Sequence, residues 1–217
     1  MSRLVRTPLT AALALLALSL SGCNIVAPIV AVAQGPGEVE AVYELNPDRK
    51  TVIFVDDPAN KIAQRRTRAT IGEACQQALM RKKKVREENM IDTRSAIAAA
   101  ANGDGTMAVT EIGEAVGAEV IVYALVTRFD MSGDGADFDP TAEVEVKVFD
   151  VTTHSRLWPP RGEPGYRSRF SGSGPNRYMP STRTDLLRAQ NELAMITGEG
   201  LSQLFYDVER PQSLRKK

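Results

Sequence analysis

The sequence predicts a single mixed α/β (α+β) domain, with one mixed β-sheet of about four to five strands packed with three to four helices. Three observations carry this. Residues 51–55 (TVIFV) and 120–129 (VIVYALVTRF) are short, apolar, β-branched runs, the pattern of strands buried on both faces. Residues 142–151 alternate, Ala142, Val144, Val146 and Val148 one way and Glu143, Glu145 and Lys147 the other, as in a strand with one wet face. Between and after these strands, apolar residues recur with the helical period.

The chain opens with Arg3 and Arg6, followed by residues 9–20 (LTAALALLALSL), an apolar run of signal-peptide length and too short to span a bilayer. The run ends in Leu20-Ser21-Gly22-Cys23. Small side chains at Ser21 and Gly22 suit a peptidase, and the thiol at Cys23 suits a transferase that needs a nucleophilic acceptor. This order of residues resembles the bacterial lipobox. The resemblance implies a signal peptide over residues 1–22, cleavage between Gly22 and Cys23, a diacylglyceryl group on the Cys23 thiol, and a fatty acyl chain such as palmitate on the new amino terminus. A lipoprotein anchored to a membrane of the cell envelope through Cys23 is therefore expected. Asn24 stands where an aspartate would favour inner-membrane retention, which points to the periplasmic face of the outer membrane. The competing readings are a plain secretory signal with a chance cysteine and a spanning anchor. Residues 25–33 (IVAPIVAVA) prolong the apolar character, but Asn24 and Pro28 interrupt it, so a span of ~20 residues is not formed.

From there the elements follow in order. Residues 23–38, punctuated by Pro28, Gly35, Pro36 and Gly37, read as a lipidated tether. The domain is expected over 39–208, with a weakly alternating strand at 39–45 and a turn at Asn46-Pro47-Asp48. A helix over 63–85 presents Ile71, Ala74, Cys75, Ala78 and Leu79 as one apolar stripe, and Arg81, Lys82, Lys83 and Lys84 complement its C-terminal dipole. That basic run reads as a solvated helix end, with an anionic membrane surface as the sharper alternative. Short helices are expected at 95–101 and 107–116, the latter closed by Gly117. Arg156-Leu157-Trp158 pairs back on the alternating strand. Residues 159–182, rich in Gly, Pro, Ser and Arg, read as a long loop. Thr184 caps a final helix running to Val208, with Leu186, Leu193, Ile196, Leu201 and Leu204 on its buried face and Gly198 and Gly200 weakening its middle. Residues 209–217 form a polar tail.

Composition bounds the chemistry. Lys plus Arg and Asp plus Glu balance at 27 each, and removal of Arg3 and Arg6 leaves the mature chain slightly acidic, so no nucleic-acid partner is expected. With Cys23 acylated, Cys75 has no partner in the chain and reads as a small apolar residue of a helix stripe. His154, the one histidine, reads as an exposed turn residue, and no metal site is expected. Asp130-Met-Ser132-Gly-Asp134-Gly135 matches the first half of a calcium loop, but Thr141 stands where a bidentate Glu belongs and the segment joins two strands. Asp56-Asp57 offers two carboxylates at a strand end without a base or nucleophile beside them, and reads as a turn into a helix. No nucleotide, hydrolase or zinc-protease motif occurs, so no catalytic residue and no cofactor is expected.

Residues 109–126 (VTEIGEAVGAEVIVYALV) resemble the helix, Gly-Ala-Asp, apolar-strand stretch of the superfamily of TolB amino-terminal domains, CsgG and the penicillin-binding-protein activator LpoB, with Glu119 in place of the usual Asp. Phe149-Asp150-Val151-Thr152 and Leu157-Trp158 are similar to the hairpin that follows in that superfamily, His154-Ser155 standing where a Gly is frequent. The resemblance covers about residues 50–208, the last helix by position alone. It implies an α/β domain without catalytic residues that acts by binding envelope partners, either a protein or the cell wall, with homo-oligomerisation a further mode. The CsgG-type pore is not expected, because residues 159–182 do not alternate. Two functions follow. One is a non-catalytic envelope interaction and assembly module. The other is a small ligand-binding protein or enzyme whose 159–182 loop lies over an anion-binding pocket lined by Arg161, Arg167, Arg169, Arg177 and Arg183.

Overall fold

The computed structural model describes residues 38–103, 107–131, 138–172 and 180–209. The signal, the cleavage and lipidation site at Gly22 and Cys23, most of the tether, and the polar tail beyond Glu209 lie outside them. So do residues 132–137 of the calcium-like segment, and Arg177.

The strands are β1 (Glu38–Val39), β2 (Thr51–Asp56), β3 (Met90–Ile91), β4 (Val120–Asp130), β5 (Thr141–Asp150), β6 (Ser155–Trp158), β7 (Tyr166–Ser171) and β8 (Val208–Glu209). The helices are α1 (Arg65–Arg81), α2 (Thr93–Asn102), α3 (Val109–Ala115) and α4 (Arg183–Ser202). A six-stranded mixed sheet runs β3-β2-β4-β5-β6, with β7 also on β5, and β1 pairs with β8 as a separate ribbon. β2 is parallel to β3 and β4, while β4, β5, β6 and β7 are joined antiparallel. The described residues belong to one compact unit.

The parallel half explains its own composition. A parallel strand needs a crossover, and crossovers cover both faces of a sheet. α1 links β2 to β3 over one face, and α2 with α3 link β3 to β4 over the other. β2 is therefore buried along nearly its whole length. On the first face Ile53, Val55, Val122, Ala124, Val144 and Val146 meet Ile71, Cys75 and Leu79 of α1 and Leu201 of α4. Burying one such aliphatic side chain is worth ~1.5–3 kcal/mol. On the second face Val52, Phe54 and Ile121 meet Ala96 of α2 and Ile112 of α3.

α1 and α4 lie against each other through Gly198. A Cβ there would strike the Ile71 carbonyl and the Ala74 methyl. The residue expected to weaken the helix by up to ~1 kcal/mol of propensity instead permits a close approach of the two helices.

Four expectations need correction. The strand expected at 39–45 is confined to β1, because the following amides are taken elsewhere: Ala41 N–H donates to Asp207 Oδ1, and Val42 and Tyr43 N–H to the Leu204 carbonyl. The final helix is capped by Thr182, whose hydroxyl accepts from Asp185 N–H at 3.1 Å, not by Thr184. It ends at Ser202, and Val208 belongs to β8. The first helix stops at Arg81, where Lys83 turns to φ 56°. Most consequentially, the expected loop at 159–182 contains β7. Tyr166, Ser168 and Phe170 point inward and Arg167 and Arg169 outward, so this segment does alternate.

Candidate functional site

Several residues singled out by type prove to hold local structure. Asp57 accepts from the amides of Lys61 (2.8 Å) and Ile62 (2.7 Å), which closes the turn after β2. Asp56 accepts from the Tyr123 hydroxyl at 2.9 Å, and burial together with that carboxylate pushes the phenol above its ordinary range. Asp56 and Asp57 thus face different partners and do not form an acid–base pair. His154 sits at φ 47° in the β5–β6 turn, against Thr110 and Glu114 of α3. Cys75 is fully buried and its thiol is pushed up to about 12 by that burial. Asp130 pairs with Arg128 at 2.9 Å and Thr141 is buried in β5. Among the described residues no group of three or more His, Cys, Asp or Glu could hold a metal ion, and no helix is long and apolar enough to cross a membrane.

The four described arginines of those expected around an anion pocket are dispersed. Arg161 lies in the excursion between β6 and β7, and Arg183 opens α4 beside Met131 and Phe138. Arg167 and Arg169 alone share an element, β7.

β7 borders the most distinctive surface of the molecule. β6 and β7 occupy the same side of β5 in succession, Trp158 opposite Val148 and Tyr166 opposite Val146, with residues 159–165 looping out between them. α2 and α3 cover the second face of the sheet only over Val52, Phe54, Ile121 and their neighbours. Past them the face is a ladder of charges. Glu145 meets Lys147 (2.7 Å) and Arg167 (3.8 Å), and Glu143 lies beside Arg128 (3.9 Å) and opposite Arg169. The Lys147 hydrogen bond, with the Gly165 amide and Arg167, holds the Glu145 carboxyl below the ordinary carboxylate range. At the foot of β5, burial works against ionisation of Asp150, yet the Thr153 amide and the Arg49 guanidinium at 2.9 Å hold it below that range too.

On the other face, a groove of about 450 Å³ follows β7. Its walls are Val39, Glu40 and Val42 of the N-terminal strap, Gln203, Leu204 and Val208 beyond α4, and β7 itself, where Tyr166 and Phe170 face the groove and Arg167 and Arg169 reach its rim. Val39 and Val42 are among the few large apolar side chains left exposed. Gly200 lets the Phe170 ring come close against α4, where a Cβ would strike the ring. The reading of 159–182 as a loop missed this site. The signal that could have found it is the Tyr-Arg-Ser-Arg-Phe alternation, hidden by the Gly and Pro residues on either side.

No family model and no curated protein matches the chain. Among solved structures it is similar to protein CT253 of Chlamydia trachomatis, at 20% identity and TM-score 0.42, over 72% of this chain and 91% of that one. It is also similar to a PelC dodecamer of Paraburkholderia phytofirmans, at 13% identity and TM-score 0.42, over 78% and 97%. A third is lipoprotein GNA1162 of Neisseria meningitidis, at 13% identity and TM-score 0.39, over 64% and 88%. TM-scores this low carry no functional argument.

Proposed function

We propose that this chain is a lipid-anchored, non-catalytic interaction module of the cell envelope. The observation that carries the reading is the ordered succession of Arg3 and Arg6, the apolar run at 9–20, and Leu20-Ser21-Gly22-Cys23. Acylation of Cys23 supplies the anchor: each buried methylene contributes ~0.8 kcal/mol, and two or three chains hold where one would bind only reversibly. Residues up to 38 then act as the tether, and Asn24, where an aspartate would favour inner-membrane retention, favours the periplasmic face of the outer membrane. The binding role is supported by the resemblance of residues 109–126 and 144–158 to the TolB amino-terminal, CsgG and LpoB superfamily. It is also supported by where the reactive side chains are spent, Asp57 and His154 in turns and Asp56 on Tyr123.

The test is Cys23→Ser in cells, followed by membrane fractionation and mass spectrometry of the amino terminus. The wild-type chain is expected in the membrane fraction with an acylated Cys23 as its first residue, and the variant as an uncleaved precursor without lipid. A variant that matures to the same size and fractionates with membranes overturns the reading.

A further inference from the structure

We propose that the outer edge of β7 is a docking site for an extended acidic-apolar peptide, which adds to the sheet as a further strand. The inference rests on the reading of the chain as an interaction module and names the surface and the chemistry of the partner.

The backbone comes first. In an antiparallel pair, opposite residues alternate between those that exchange hydrogen bonds and those whose amides and carbonyls point away. Gly172 N–H donates to the Pro140 carbonyl at 2.9 Å, one step beyond the Thr141–Ser171 pair. That phase makes the pairs of Tyr166, Ser168 and Phe170 the bonded ones. The main-chain N–H and C=O of Arg167 and Arg169 therefore point away from β5. No strand among the described residues pairs with that side of β7. Two consecutive outward residues offer four hydrogen bonds to an incoming strand, the arrangement used in strand addition.

The side chains then select the occupant. A strand laid along this edge alternates between the sheet's two faces. On the groove face it meets Val39, Val42, Leu204 and Val208, which favour apolar residues, with Glu40 and Gln203 among them as the polar members of the wall. On the open face it meets Arg167, whose side chain is 80% exposed, and Arg169. Those positions favour carboxylates. β5 already shows this preference from the inner edge. It sets Glu145 opposite Arg167 and Glu143 opposite Arg169, with valines between. A second copy of the chain fits worse. Antiparallel self-pairing of β7 with each face preserved sets Arg167 opposite Arg169, or Arg169 opposite itself, in the registers that overlap most of the strand. Like charges directly opposite are destabilising.

The test uses the full chain in detergent and a fluorescent peptide with the sequence of residues 141–148, read by anisotropy. The peptide is expected to bind, and the version with both glutamates replaced by lysine at least about tenfold more weakly. Joint substitution Arg167→Glu and Arg169→Glu should reverse that order. Arg169→Pro removes an amide hydrogen that points off the sheet, a position where an edge strand tolerates proline. It should abolish binding, while Arg169→Ala weakens it only a few-fold. Equal binding of the two peptides, an unchanged order in the double charge reversal, or equal effects of Arg169→Pro and Arg169→Ala would overturn the proposal. So would a dimer in sedimentation that Arg169→Pro dissolves, since the second copy would then be the occupant. Should Arg169→Pro fail to fold, the charge reversal decides alone. Membrane partitioning of the same preparations is read separately. Loss of peptide binding with Cys23-dependent anchoring intact removes the edge site and leaves the anchored module, and the converse leaves the edge without its anchor.

Discussion

At one side of the sheet, β3 contributes only two residues, and beyond them the edge of β2 is closed by side chains. The Thr93 hydroxyl donates to the Ile53 carbonyl at 2.5 Å, and Gln76 accepts from Thr93 N–H while donating to the Ile91 carbonyl. Gly72 makes room for this, because a Cβ there would land on the Thr93 hydroxyl. At the opposite side, β7 ends the sheet with outward main-chain groups that no strand among the described residues pairs with, beside two arginines and a groove. Both are ways of handling an exposed strand edge. Sealing with buried hydrogen bonds removes the edge as a binding surface and ties it to stability. Guarding with charge leaves it open to a partner of the opposite sign and costs the fold little.

The comparison breaks if the two edges respond alike to substitution. Gly72→Ala should have the largest effect, about 3 kcal/mol in urea denaturation, since it forces Thr93 away from Ile53 and leaves a buried carbonyl without its donor. Thr93→Val preserves shape and deletes the hydroxyl alone, for about 2 kcal/mol. A loss under about 0.5 kcal/mol would mean that the hydroxyl does not seal the edge. On the antiparallel side the lock is ionic. Asp150 and Glu145 titrate lower in the folded chain than in the unfolded one. Their contribution is complete above the ordinary carboxylate range near ~4 and is lost as pH falls from there toward the lowered native values. Asp150→Asn should reduce stability at neutral pH by about 1 kcal/mol and flatten this acid limb, measured by denaturation at a series of pH values. Smallest of all, Arg167→Ala and Arg169→Ala should each change stability by less than about 0.5 kcal/mol. A larger loss would make the guarded edge a structural element and blunt the contrast.

How much of this was legible in the sequence differs across the sheet for a physical reason. β2, β4 and β5 announce themselves because burial on one or both faces demands Val and Ile at a strict period. The mixed α/β class and the helix stripes were readable on the same ground. β7 has the same alternation, but its inward residues are Tyr166, Ser168 and Phe170, over a partly covered groove, so the hydrophobic signal is diluted. β3 is two residues long, below any periodicity. At 39–45 the reading ran the other way. The alternation is there, but Asp207 and Leu204, distant in the chain, capture the amides a strand would have used. The sealing contacts were unreadable for the same reason: Thr93 and Gln76 are ordinary helix residues until the fold brings Ile53 and Ile91 to them. Asp57 does hold the turn after β2, as its residue type suggested, but Asp56 ends β2 itself and its Tyr123 partner could not be inferred.

Cys75 lies in the seam where α1 rests on the sheet, with none of its surface open to solvent. A thiol so placed meets an alkylating reagent only in molecules whose helix has lifted away. Its labelling rate is thus a clock for the opening of the seam. Outside those openings, an oxidising surrounding finds no thiolate there to attack.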